Sequence, residues 1–265
     1  MSKLRFVQGI PTTRGATSRN TVSGIRVVYE TDPAVVQAML PRPLVAAEHP
    51  EVYLQFMHVA IHVSETQTHE IGALTTGLMC THEGQPGAYC YYMAMEGESI
   101  VTSGRERFGE PKKVAQTTFK KDGDHVRATC ARHGITFFEL DGEIGADNDE
   151  PKMFEEYLYC YKALMSITTP GQFDGDVYLT RLDWKRNYTA RRDFKGTVRF
   201  NESAYDPLID VPIRRVTRME YVEGGTLTSG RILATVPGEY IAPFWVGRFD
   251  DPFNPGIDVP AAKAA

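Results

Sequence analysis

The feature that most constrains this chain is a run of short strand-like segments separated by tight-turn dipeptides. KKVAQTTFKK ends at Asp122-Gly123, DHVRATCAR at His133-Gly134 and ITFFEL at Asp141-Gly142. Such a dipeptide between alternating apolar and polar residues supplies the positive φ that a short hairpin loop needs. The pattern predicts an antiparallel β-meander. Further strands are expected at 23–30, at 51–63, in the aromatic stretch 87–96 and at 98–104, the last two joined by a turn at Gly97. DVYLTRLDWKRNYTA, DFKGTVRF, IRRVTRMEYVEGG and TLTSGRILATV read as more of the same. In 51–63, alternation puts Gln55, Met57, Val59 and Ile61 on one face, with His58, Ala60 and His62 on the other.

Two helices are expected. One runs from Pro33 to Leu40, with Asp32 as N-cap, and is ended by Pro41 and Pro43. The other is expected over 148–164. It opens with Asn148-Asp149-Glu150-Pro151, and Met153, Tyr157, Leu158, Tyr161 and Leu164 recur at helical spacing. Strands and helices do not alternate and no glycine-rich phosphate loop is present, which argues against a doubly wound nucleotide-binding sheet. The expected class is α+β, dominated by antiparallel strands. The 265 residues read as one domain, with 1–20 as an N-terminal arm and 250–265 as a loose tail.

A net charge of -5 disfavours nucleic acid and anionic membranes as partners. The basic run Arg181, Lys185, Arg186, Arg191, Arg192, Lys195 and Arg199 is interrupted by Asp183 and Asp193, and reads as a solvated strand face or a subunit interface. The first residues lack the apolar core of a signal peptide and no apolar run is long enough to span a membrane, so a soluble, cytoplasmic protein is expected. Cys80, Cys90, Cys130 and Cys160 match no zinc spacing and read as reduced, buried thiols. His58 and His62 lack a third ligand at fixed spacing, so no metal is expected.

The segment with chemical content is GRERFGEPKKV, where Lys112 and Lys113 precede an apolar strand. Only a neutral amine attacks a carbonyl, and an ordinary lysine has a pKa near 10.4. Lowering it to about 6 takes roughly 6 kcal/mol of differential destabilisation of the ammonium, from desolvation or a nearby like charge. In an extended segment the two side chains point to opposite faces, so desolvation of Lys112 is expected to outweigh repulsion from Lys113. By contrast, Lys120-Lys121 flanks a hairpin turn and reads as solvent-exposed.

The chain resembles the acetoacetate decarboxylase superfamily. The likeness rests on VVYETD, LPRPL, GRE....PKK, FNESAYDPLIDVPIRRV and SGRILATVPGEYI, in that order along most of the sequence. It implies a closed or cone-like β-barrel with a few flanking helices, a homo-oligomer, and a Schiff-base lyase needing neither metal nor dissociable organic cofactor. Lys112 then corresponds to the Schiff-base lysine, and Lys113 to the neighbour that helps to perturb it, the family being a known case of activation by an adjacent cation. Glu70, in HEIG, matches the family's active-site glutamate and is the expected proton shuttle. Gln55, Arg105 and Tyr240 are candidates for substrate binding. Two positions depart from the family pattern: Val22 stands where the decarboxylases carry a carboxylate-binding arginine, and Gln55 where they carry a glutamate. Arg26 or Arg105 is the candidate substitute for that arginine. The substrate expected is a small oxo acid, decarboxylated as acetoacetate is. The alternative is a pyruvate-dependent aldolase-dehydratase using the same lysine, with an aldehyde as second substrate. A non-catalytic barrel that binds a small apolar ligand is the third reading.

Overall fold

The structure is a computed structural model describing residues 18–62 and 68–260. The chain starts with β1 (Ser18–Glu30), α1 (Pro33–Met39), β2 (Val45–Ala46), β3 (Glu51–His62), β4 (Thr68–His82) and β5 (Gln85–Met95). Then come α2 (Glu98–Phe108), β6 (Lys112–Val114), β7 (Gln116–Asp122), β8 (His125–Arg132), β9 (Ile135–Asp147) and β10 (Met153–Lys162). The long strands β11 (Val177–Phe200) and β12 (Arg215–Val236) follow, and α3 (Ala242–Trp245) comes last. Among the described residues no helix is long and apolar enough to cross a membrane.

The pairings β10-β5-β4-β3-β1-β12-β11 close on themselves, because β11 also pairs with β10. A ring of strands results, mostly antiparallel as expected, with parallel contacts among the described residues only where β5 meets β10 and β6. Beyond its bulge, β11 leaves β10 and pairs with β9, which carries β8 and β7 as a second layer. Alternation along β3 serves both layers. Leu54 and Phe56 face the second layer, where Phe56 lies 6.1 Å from Phe119 and 5.7 Å from Phe138 with rings nearly parallel. Gln55, Met57 and Val59 face into the ring. Phe56 is fully buried, and its truncation to alanine would cost roughly 3–5 kcal/mol.

Several expectations are corrected. The 148–164 segment is not a helix: Met153–Lys162 is strand β10. Leu158 and Cys160 pack inside the ring while Tyr159 and Tyr161 pack in the outer core. A strand buried on both faces reads as a continuous apolar run, and periodicity alone cannot separate that from a buried helix. The apparent helix start is a loop turn, in which the Asn148 side chain accepts from the Glu150 N–H at 3.3 Å. The converse error falls at 98–104, which opens helix α2 and is not a strand paired through Gly97. Its β-branched Ile-Val-Thr suggested a strand, but Ile100, Ser103, Gly104 and Arg107 share one helical face over the ring interior.

The expected turn at Asp141-Gly142 is absent, since β9 runs through it. Gly142 lies opposite Gly196, and a side chain at either would collide with the facing backbone and the Phe194 ring. This glycine therefore marks a close approach and not a turn. KKVAQTTFKK divides into β6 and β7, and 68–82, which carries Glu70, is strand β4. Asp32 makes no side-chain cap bond and instead pairs with Arg214 at 2.6 Å. Residues 1–17 of the expected arm lie outside the described residues, and 18–20 already belong to β1. At the start of the expected loose tail, Asp250 pairs with Arg132 at 2.8 Å and Lys113 at 3.4 Å.

Candidate active site

One face of the ring interior encloses a cavity of about 310 Å³. Strand register assembles it. Arg26, Gln55, Thr75, Met93 and Lys112 are successive cross-strand partners from β1 through β3, β4 and β5 to β6. One transverse row therefore carries Lys112 and Gln55, which are far apart in sequence. Strand β6 is only three residues long, yet its parallel pairing with β5 fixes which of its side chains points inward. Lys112 points in, and its Nζ sits 2.8 Å from Glu110 Oε2, with both side chains at most 10% exposed. Glu110 Oε2 finds no aligned hydrogen-bond donor, so the ion pair is its principal compensation. Helix α2 passes directly over the pair at Gly104. A Cβ there would come within 2.5 Å of Lys112 Nζ and would overlap Glu110 Oε2.

Lys113 points out of the ring. Its Nζ donates to the Tyr205 carbonyl at 2.9 Å and lies 3.3 Å from Asp206 Oδ1. Burial pushes its pKa down, with Asp206 and Asp250 opposing the shift and Arg132 adding to it. Arg105 also lies behind the strand and not in the cavity. Its Nη1 donates to the Lys112 carbonyl and to the Arg248 carbonyl, both at 2.9 Å, so it braces the Lys112 backbone. Burial lowers the Arg105 pKa, and Asp250 opposes that.

Glu70 is not brought to Lys112. It lies on β4 with its side chain 68% exposed, 3.8 Å from His58, while its neighbours Ile71, Ala73 and Thr75 face the cavity. Tyr240 is also remote, stacked under the Arg42 guanidinium at 4.3 Å against the outer core. Val22 lines the cavity as an apolar wall. His62 contacts Thr21 at 2.5 Å and Thr68 at 3.2 Å. Among the described residues no three His, Cys, Asp or Glu side chains could hold a metal. All four cysteines are free and buried, and burial pushes Cys80 up to about 12.

The cavity floor is a buried charged cluster. Arg186 on β11 donates from Nε to Glu156 at 2.6 Å, from Nη1 to Thr226 at 3.0 Å and from Nη2 to Gln55 Oε1 at 3.2 Å. Arg26 donates to Glu156 at 2.6 Å, and Arg191 to Glu220 at 2.6 Å. Burial disfavours the charge on Arg186 and on Arg26, but Glu156, together with Tyr53, Tyr188 and, for Arg26, Glu220, outweighs this and holds both above the usual arginine range. Burial would raise the Glu156 carboxyl, yet Arg186 and Arg26 hold it below its usual value. Arg191 also lies 3.7 Å from Glu150, so three guanidinium groups meet three carboxylates, and of these only Arg186 lines the cavity, where its second Nη1 hydrogen is left for an anionic ligand. Gln55 Oε1 also accepts from Tyr53 OH at 2.5 Å. Two donors on Oε1 orient the amide so that its Nε2 hydrogens are left for a ligand.

Arg186 and Glu110 were not among the expected site residues. Glu110 had a local signal, since it lies two residues before Lys112 and hence on the same side of an extended segment. Within the basic run expected to be solvated, Arg186 and Arg191 are each at most 5% exposed.

A lysine and a carboxylate meet here at one end of an apolar cavity, with Arg186 and Gln55 at its floor. Such an arrangement can hold a small anion at the floor and present an amine beside it. The acetoacetate decarboxylase (ADC) family profile matches residues 9–236, and the chain belongs to this family. It is 32% identical over 222 residues to the acetoacetate decarboxylase of Burkholderia vietnamiensis (strain G4 / LMG 22486), covering 82% of this chain and 86% of that one. Three further Burkholderia acetoacetate decarboxylases align at 32% identity over only 40% of their length. The fold is similar to acetoacetate decarboxylase from Legionella pneumophila, with TM-score 0.70 and 17% identity over 87% of this chain and 94% of that one. It is also similar to the enduracididine biosynthesis enzyme MppR complexed with pyruvate, with TM-score 0.70 and 16% identity over 82% of this chain and 90% of that one.

Proposed function

We propose that the protein is a Schiff-base-forming lyase acting on an oxo acid through Lys112. The observation that carries this reading is the buried Lys112–Glu110 pair facing a cavity floored by Arg186 and Gln55. The ammonium passes a proton to Glu110, and the neutral Nζ attacks the ketone carbon. The carbinolamine loses its hydroxyl as water, taking the proton back from Glu110, to leave an iminium. The free Nη1 hydrogen of Arg186 and the Nε2 hydrogens of Gln55 hold the carboxylate.

From a 3-oxo acid the iminium accepts the electron pair released when CO2 leaves, and the enamine is then protonated. Glu110, not the exposed Glu70, takes the proton-shuttle role. Lys113, held by Asp206 and Asp250, is an anchor and Arg105 a positioning residue. Val22 favours a second reading, because an apolar wall replaces the decarboxylases' arginine. In that reading the iminium of a 2-oxo acid such as pyruvate loses an α-proton and adds to an aldehyde.

Borohydride trapping with acetoacetate and with pyruvate, read by intact mass and peptide mapping, tests both. A reduced adduct on Lys112 with CO2 release from acetoacetate supports the decarboxylase. An adduct with pyruvate and no CO2 from acetoacetate supports the aldolase-dehydratase. No adduct with either points to a binding protein. Arg186→Met should raise the acid concentration for half-maximal trapping by roughly 10- to 100-fold, the range for losing a charged hydrogen bond.

A further inference from the structure

The same register that lines up the polar row also orders the wall above it. Two residues along each strand, the cross-strand row is Gly24, Met57, Ala73 and Met95. Two residues further it is Val22, Val59 and Ile71. No polar side chain occurs in either row. At about 3.3 Å per residue the wall runs roughly 13 Å from Gln55 to Val59. Ile100 and Phe108 of α2 face it from across the cavity. Met57 lies back against β1, since a Cβ on Gly24 would meet its sulfur at 2.8 Å, and this keeps the space between the walls open. Away from the floor the polar lining consists of Asn20, Ser103, Arg107 and Thr228.

We propose that the oxo acid taken at Lys112 carries an apolar substituent of several carbons. The substituent lies along Met57, Val59 and Ile71, while the carboxylate meets Arg186 and Gln55 at the floor. This rests on the Schiff-base reading of Lys112. The volume of about 310 Å³ equals the liquid share of roughly ten waters. Acetoacetate or pyruvate, held at the floor by its carboxylate, leaves most of the apolar wall facing water. A 3-oxo acid with a longer alkyl end displaces that water, and the flexible methionines adapt to its shape. Val22, Val59 and Ile71 then set specificity through how far the substituent extends.

The test is the concentration for half-maximal borohydride trapping of acetoacetate, 3-oxohexanoate and 3-oxooctanoate on the full chain. Each added methylene that is buried is expected to lower it about fourfold. 3-Oxohexanoate should therefore trap at roughly one-tenth the acetoacetate concentration or less. Val59→Trp, or Ile71→Phe if the first variant does not fold, should collapse that ratio towards one. Equal or weaker trapping of the longer acids overturns the proposal. Failure of every acid to label Lys112 overturns the Schiff-base reading instead. In that event calorimetric titration with butyrate and octanoate decides the apolar site by itself. Octanoate binding at least tenfold tighter supports it, and equal binding sinks it.

Discussion

Lys112 and Lys113 follow one another in sequence and are both buried, yet strand β6 sends them to opposite sides of one sheet. Lys112 enters the ring beside Glu110, under a glycine of α2, in a cavity floored by Arg186 and Gln55. Lys113 enters the space between ring and second layer. There it joins Arg132, Asp206 and Asp250 in a set with two cations and two anions, with His133 at its edge. The balanced set ties two β-strands, a loop and the C-terminal segment together. The cavity side instead leaves an Nη1 hydrogen of Arg186 and the Gln55 amide for a ligand. Adjacency in sequence therefore says little about electrostatic coupling when the backbone is extended.

Replacing the two lysines separately gives the largest contrast. Lys112→Ala should abolish borohydride adducts with any oxo acid, while Lys113→Met should still form them at residue 112, as shown by peptide mapping. Adducts persisting in the first variant would sink the assignment. The glycine between helix and lysine comes next. Gly104→Ala forces the amine or Glu110 aside, and a displacement of about 1 Å is expected to slow trapping roughly 100-fold. A rate within a factor of about two would mean that the exact placement of the amine is unimportant.

The balanced cluster should show itself through acid stability. Arg132, with His133, holds the Asp250 carboxyl well below the usual carboxylate range, against the opposing effect of burial. Its contribution is then complete above the ordinary value near 3.9 and is lost as pH falls towards the folded value. Asp250→Asn should melt earlier than the parent at pH 6, with the gap closing at acid pH. A gap that is the same at every pH would argue for packing alone. The smallest effect is expected for the charge on Lys113. Lys113→Met should move the midpoint of the trapping pH profile by less than about one unit, whereas an alkaline shift of more than about two would restore repulsion between the lysines as the controlling influence.

Much of this was legible in the chain. The antiparallel class and the inward face of β3 follow from period-two alternation, and the role proposed for Lys112 follows from the family resemblance around one short motif; both signals are local. The misread elements share a physical cause. Tyr159 and Tyr161 face one layer while Leu158 and Cys160 face the other, so β10 shows no polar side over 158–161. Helix α2 was misread because its β-branched residues favour strands, whereas packing over the ring decides its conformation. Glu70 matched by motif position, but β4 turns it to solvent. Alternation in sequence settles which side chains share a face. It does not settle which strands become neighbours, and hence what stands opposite Lys112. Glu110 was within reach of local reasoning. Arg186 was not, because its place depends on β11 closing the ring onto β10 and β12, a long-range pairing that no local pattern encodes. The local sequence singled out Lys112, and closure of the sheet placed Arg186 in the same cavity.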